Sequence, residues 1–198
     1  MNCEMLKIVR DVRVALNFDA EPAPAIEATC SGLSLDQIIR AKAVEAVREA
    51  HLEALPCQLE CARPFVPDAL GIAWTDGCAG WLSLPADFLR LVTFEMNDWE
   101  RPAGEPIDPA SAAYALQRGR FAGLRGTPQR PVVAIVRHAS GLVLEFYSCR
   151  SKSAAIRRAV YGPEPKVDDE TDTLAVSAPL YGEVIARTAA KVKATLNA

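Results

Sequence analysis

The stretch PVVAIVRHASGLVLEFYSC, residues 131–149, constrains this chain more than any other. Two apolar runs, 132–137 and 142–148, flank a Ser-Gly step, which is the pattern of two antiparallel strands joined by a tight turn. Strand signals continue on both sides of this hairpin. Upstream, GWLSL reads as a short strand. In LPADF, Pro85 fixes φ and Asp87 caps a tight corner. FLRLVTFEM then forms a second strand, with Phe88, Arg90, Val92, Phe94 and Met96 on one face and Leu89, Leu91, Thr93 and Glu95 on the other. Both faces are apolar near its start, which sets this strand between a sheet partner and the helices. Downstream, IRRAVY at 156–161 fits a third strand or a helical turn.

Helical periodicity rules both chain ends. Met5, Ile8, Val9, Val12 and Leu16 predict a helix over 3–16. Pro22 and Pro24 make FDAEPAPAIEATCSG a loop. Ser34 and Gln37 form an S-x-x-Q capping box, and Leu33 staples onto Ile38. The second helix buries Ile39, Ala43, Ala46, Val47 and Ala50 and stops at Pro56. Asp108 and Pro109 start a short helix that ends at Gly119, followed by the loop FAGLRGTPQRP. GPEPKVDDETD is an exposed acidic loop. Pro179 opens the last helix, with Tyr181, Val184, Ile185, Thr188, Val192 and Leu196 on one side and Arg187, Lys191 and Lys193 facing water. The expected fold is α+β: a helical bundle from the N- and C-terminal helices (1–70 and 175–198) with an inserted antiparallel β-rich lobe holding one short helix (71–174).

Charge is unevenly spread over the 198 residues, whose net charge is −3. Residues 1–110 carry 9 basic and 18 acidic side chains, and 111–198 carry 13 and 7. Within 112–163 Glu145 is the lone acid among arginines and one lysine. A molecule of this polarity suits head-to-tail stacking or an acidic partner. No apolar run approaches the roughly 20 residues of a bilayer span, and charges within the N-terminal pattern exclude a signal peptide, so Cys3 is not a lipid anchor. The expectation is no membrane association. The six cysteines read as scattered buried thiols.

Few residues invite chemistry. No P-loop, GxGxxG helix start, GxSxG or HExxH is present. His51, Cys57, Cys61 and Cys78 lack the paired short spacing of a zinc site. His51 reads as a surface or half-buried residue near a helix end. Glu145 is a buried acid of raised pKa or, by strand alternation, points outward or pairs with an arginine. No catalytic residue, metal or cofactor is expected, and the chain is not read as an enzyme. The partner-facing or DNA-facing candidates are Arg118, Arg120, Arg125 and Arg130, with Tyr114 and Phe121 available to stack on bases. Trp81, Phe88 and Trp99 are expected to pack the junction where Pro85 and Asp87 turn the chain from a bundle-facing strand into the insertion.

The succession LPADFLRLVTFEMNDWERP, YALQRGRFAGLRGTPQRPVVAI, LVLEFYSC and APLYGEVIARTAAKVKATL resembles a group of Bacteroidales phage and prophage proteins, which in turn resemble the head–tail adaptor (connector) family of tailed phages. The likeness runs in order over most of the chain. It implies a helical bundle carrying a β-rich insertion, assembled as a ring of twelve copies beneath the portal protein and above downstream tail or neck proteins, with DNA passing through the channel. It also implies location in the virion, and in the host cytoplasm before assembly. The family has no catalytic residues to carry over. The Cys57–Cys61–Cys78 region has no counterpart in its pattern. A DNA-binding accessory protein using the arginines of 118–130 is the alternative, and a small enzyme or metal-dependent regulator using His51, Cys57 and Cys61 is a third reading.

Overall fold

The fold is that of a computed structural model, and it describes residues 1–17, 34–65, 71–75, 78–119 and 121–197. In chain order the elements are β1 (Asn2–Glu4), α1 (Met5–Ala15), α2 (Leu35–Glu53), β2 (Arg63–Pro64), β3 (Ala73–Trp74), β4 (Gly80–Ser83), β5 (Phe88–Met96), α3 (Ala112–Gln117), β6 (Val133–His138), β7 (Gly141–Phe146), β8 (Ile156–Pro163), β9 (Val167–Asp168), β10 (Thr173–Ala175) and α4 (Tyr181–Leu196). Four helices and three antiparallel sheets make it an α+β chain. It divides into two compact units, Met1–Cys61 with Glu164–Ala198, and Ala62–Pro163.

In the first unit, α4 packs against α1 and α2. The residues that periodicity assigned to the interior are buried: Met5, Ile8, Val9, Val12 and Leu16, then Ile39, Ala43, Ala46, Val47 and Ala50. Ser34 and Gln37 close the expected capping box at the start of α2. Leu33 and the loop of residues 18–32 lie outside the described residues. This unit is not wholly helical. Residues 3 and 4, expected in the first helix, belong instead to β1, which pairs with β10; β10 in turn pairs with β9. Thus part of the acidic segment expected as a loop is sheet. Arg187 and Lys191, expected to face water, instead reach carboxylates of α2: Arg187 bonds Glu53 at 2.5 Å and Lys191 bonds Glu49 at 2.8 Å. His51 is buried, only 2 % exposed, rather than at the surface. Cys61 Sγ lies 3.7 Å from its Nδ1.

The second unit holds two sheets, β2-β8-β5 and β3-β4-β7-β6. The hairpin forms as expected, and its register ends at His138 opposite Gly141. Only Ala139 and Ser140 are left in the loop, and Gly141 takes φ +124°, a conformation that favours glycine. IRRAVY is a strand, inside β8. The Pro85 corner joins β4 and β5, which lie in different sheets of this same unit, so both strands it connects belong to the second unit. Asp87 accepts a hydrogen bond from the Tyr161 hydroxyl at 2.9 Å.

One core serves both sheets: Leu91, Phe94, Met96, Ala159 and Tyr161 from the first, and Leu82, Val133, Leu144 and Phe146 from the second. Strict alternation would send Leu91 away from Phe94. The register shift between Leu91 and Thr93 rotates the strand so that both face inward, as a bulge does. The short helix starts at Ala112, not at Pro109, because Ser111 rather than Asp108 is its cap: the Ser111 hydroxyl accepts from the Tyr114 N–H at 3.3 Å. Asp108 instead shapes the preceding turn, accepting from the Ala110 N–H at 2.8 Å.

Trp99 is 4 % exposed and stands edge-on to Phe94, ring centroids 5.6 Å apart. Replacing it by Ala removes one of the largest side chains of this core and is expected to cost about 3–5 kcal/mol. Chemical denaturation checks this. A Trp99→Ala protein that unfolds at the wild-type midpoint would contradict the placement.

Candidate functional site

Glu145 is the centre of the most unusual side-chain arrangement in the second unit. On β7, alternation sends Leu144 and Phe146 into the core and turns Glu145 to the opposite face of the sheet. There it lies between Trp81 of β4 and Ala134 of β6, its register partners. That face is not open to water. The segment holding α3 lies over it, tied on by the Ile107 N–H, which donates to the Val133 carbonyl at 2.8 Å. Glu145 is consequently only 6 % exposed.

Four donors meet this buried carboxylate. The hydroxyls of Tyr114, at 2.8 Å, and of Tyr147 donate to Oε2. Arg118 Nη2 and His138 Nε2 each lie 3.3 Å from Oε1. Arg118 also donates to the Tyr114 hydroxyl oxygen at 2.7 Å, with its guanidinium 5.0 Å from the ring centroid. Trp81 meets the His138 ring edge-on at 5.3 Å. Burial alone would raise the Glu145 pKa. The hydrogen bonds from Tyr147 and Tyr114, the Arg118 charge and the His138 contact outweigh it and hold the carboxyl below its usual range. Tyr147 shifts the other way: burial and the bond to Glu145 push its hydroxyl up. The sequence reading offered a buried acid of raised pKa, or one pointing outward or paired with an arginine; the structure has it buried and beside Arg118, with its pKa lowered and not raised.

Beside this carboxylate lies a cavity of about 400 Å³, walled by Gly80, Trp81, Gln117, Arg125 and Tyr147. Its rim is stapled shut on one side. The Gly126 N–H donates to Gln117 Oε1 at 2.7 Å, and Arg125 Nε donates to the Gly119 carbonyl at 2.8 Å. Gly126 must be glycine here: a Cβ would fall 2.4 Å from Ser148 Oγ.

The four arginines singled out from the sequence do not act as one group. Arg118 and Arg130 are both exposed, but Arg118 is bound to Glu145, Arg125 is bound to the Gly119 carbonyl, and Arg130 has its backbone N–H bonded to the Thr127 carbonyl at 2.8 Å. Arg120 lies outside the described residues. Phe88 and Trp99 pack with the core of the second unit, and Trp81 stands on the far face beside Glu145. Exposed apolar side chains lie in and after α3: Leu116 within it, then Phe121 and Leu124, the last in the turn Ala122–Leu124. Among the described residues no three His, Cys, Asp or Glu side chains gather as a metal set. Among the described residues Cys3 is buried, Cys57 is exposed and Cys61, Cys78 and Cys149 are half-buried, so these five free thiols are not all buried as expected; Cys30 lies outside the described residues. Sequence reasoning missed Tyr147 and His138. The usable signal was Glu145 itself, a lone acid in a basic stretch, which must draw whatever donors the fold brings near. No protein-family model matches this chain, and no curated protein matches it.

Glu145→Gln keeps the shape but gives four donors only one oxygen, so the amide NH₂ must face some of them. The expected loss is about 1–3 kcal/mol at neutral pH. A carboxyl held below its unfolded pKa stabilises the fold above that value, about 4.3, and loses this contribution as pH falls through the lower folded pKa. The gap between wild type and Glu145→Gln in urea melts should therefore narrow in acid. A gap that stays constant from neutral pH into acid would contradict the assignment.

Proposed function

We propose that this chain is a structural subunit of a tailed-phage neck, a head–tail adaptor that assembles as a ring beneath the portal protein, with downstream tail or neck proteins below and DNA passing through its channel. In this reading α1, α2 and α4 act as the helical bundle and the unit of residues 62–163 as its inserted lobe. The chain works in the virion, after a period in the host cytoplasm, and without catalysis or cofactor. The observation that carries the reading is the large apolar side chains standing exposed on both units: Leu6, Val14, Leu52 and Leu55 on the first, and Leu116, Phe121 and Leu124 on the second. Apolar exposure on each unit suits a subunit that is covered by neighbours. The order of motifs shared with adaptor-like proteins supplies the identity of the assembly.

The second reading is a DNA-binding accessory role for the arginine loop, and exposed Arg130 favours it. Against it, Arg118 and Arg125 already spend donors inside the chain. Electron microscopy of the protein mixed with the portal encoded nearest to it distinguishes them. A second ring stacked coaxially on the portal is the expected result. Free portal beside unbound monomer at every salt concentration, with steeply salt-dependent DNA binding by the monomer, would overturn the adaptor reading.

A further inference from the structure

The cavity beside Glu145 lies wholly within the second unit, and its wall carries unequal charge. Gly80, Gln117 and Glu145 are buried along it, whereas Thr75 and Arg118 are exposed and mark its mouth. Arg118 and Arg125 line it together with a single carboxylate, Glu145. That carboxylate is already answered by Tyr114, Tyr147, Arg118 and His138. The Gln117 Oε1 likewise takes the Gly126 N–H. Arg125 is in the opposite position. It is half-buried, and its Nε and Nη2 both donate to the Gly119 carbonyl, which leaves Nη1 with its protons unspent. No carboxylate among the described residues pairs with it. A partly buried guanidinium that is fixed in place and lacks a counter-charge is the natural partner of an incoming anion. The surroundings favour this too: Ala62–Pro163 carries 12 basic and 9 acidic side chains, against 10 and 16 in the first unit.

We infer that this cavity binds a small, flat aromatic carboxylate, with the carboxylate on Arg125 and the ring against Trp81 and Tyr147. Its volume of about 400 Å³ falls in the range of small-molecule sites, roughly 300–1,000 Å³. The rings of Trp81 and Tyr147 and the methyl of Ala79 supply the apolar part of the wall, which a flat ring covers best. An anion without a ring would meet the guanidinium and leave those faces wet. A neutral aromatic would cover the faces and leave Arg125 without its counter-charge. Glu145 repels a second carboxylate, but Arg118 stands 3.3 Å from its Oε1 and offsets that charge, so Arg125 is the surplus cation of the wall. The bonds to Gly119 hold the Arg125 side chain in place before a ligand arrives, which lowers the ordering cost of binding. This inference stands apart from the adaptor reading: it needs neither a portal nor a second copy.

The test is a titration of the full-length, nitrogen-15-labelled chain with 2-naphthoate, followed by proton–nitrogen correlation spectra, with the Trp81 indole signal assigned from Trp81→Phe. The expected result is a saturable shift of that indole and of the Thr75, Ala79, Gln117 and Arg125 amides, with the first unit unmoved. The neutral isostere 2-naphthamide and inorganic phosphate should each bind about tenfold more weakly or worse, since each lacks one half of the recognition. Arg125→Gln should weaken naphthoate by a similar factor. Because Arg125 also holds the Gly119 carbonyl, the comparison of naphthoate with naphthamide on the unaltered chain decides the matter if that variant does not fold. No saturable shift, shifts centred on any other part of the chain, naphthamide or phosphate binding as tightly as naphthoate, or a folded Arg125→Gln protein with wild-type affinity would each overturn the inference.

Discussion

A single carboxylate organises the outer face of the second unit. Glu145 sits where an antiparallel sheet would normally meet water, yet it is covered, and a covered charge is tolerated only when donors replace the lost solvent. Here they come from three places: Tyr114 and Arg118 of α3, Tyr147 of the same strand end, and His138 of the neighbouring strand. The consequence runs outward from the site. A helix of six residues is far too short to persist by its own hydrogen bonds. What keeps α3 helical is its attachment, through Tyr114 and Arg118 to Glu145 and through Gln117 to Gly126. The apolar residues after it are presented on a surface because this attachment holds.

This view changes what the arginines mean. A basic loop invites a polyanion, but Arg118 and Arg125 spend donors on a buried carboxylate and a helix-end carbonyl, which makes them structural first. The charge imbalance of the chain is similarly reduced within the first unit, where Arg187 and Lys191 answer carboxylates of α2 and Arg40 grips Asp172 through two nitrogens at 2.6 and 2.8 Å. What is left over is a mild contrast between a negative unit and a positive one, together with apolar patches on both.

Much of this was legible in the residues. The hairpin, the Ser34 capping box and the buried stripes of α1, α2 and α4 follow from local rules, because turn chemistry, caps and helical periodicity are set within a few positions. The misreadings came where distant segments decide. Residues 3 and 4 looked helical because nothing local reveals that β10 pairs with them. The face of β5 could not be read by counting twos, since a bulge moves Leu91 to the side of Phe94. Glu145 was seen as unusual, but alternation alone cannot say that α3 closes over the face it occupies. Arg187 and Lys191 looked solvent-facing because the carboxylates they meet lie far away in sequence.

Amide hydrogen exchange, compared residue by residue between wild type and Glu145→Gln under native conditions, tests most directly whether this carboxylate holds the segment in place. The account predicts that protection falls sharply and selectively across α3 and the Gly126 amide, while the amides pairing β6 with β7 remain as slow as in wild type. Unchanged protection of α3 would contradict it, as would a loss spread evenly over the whole unit.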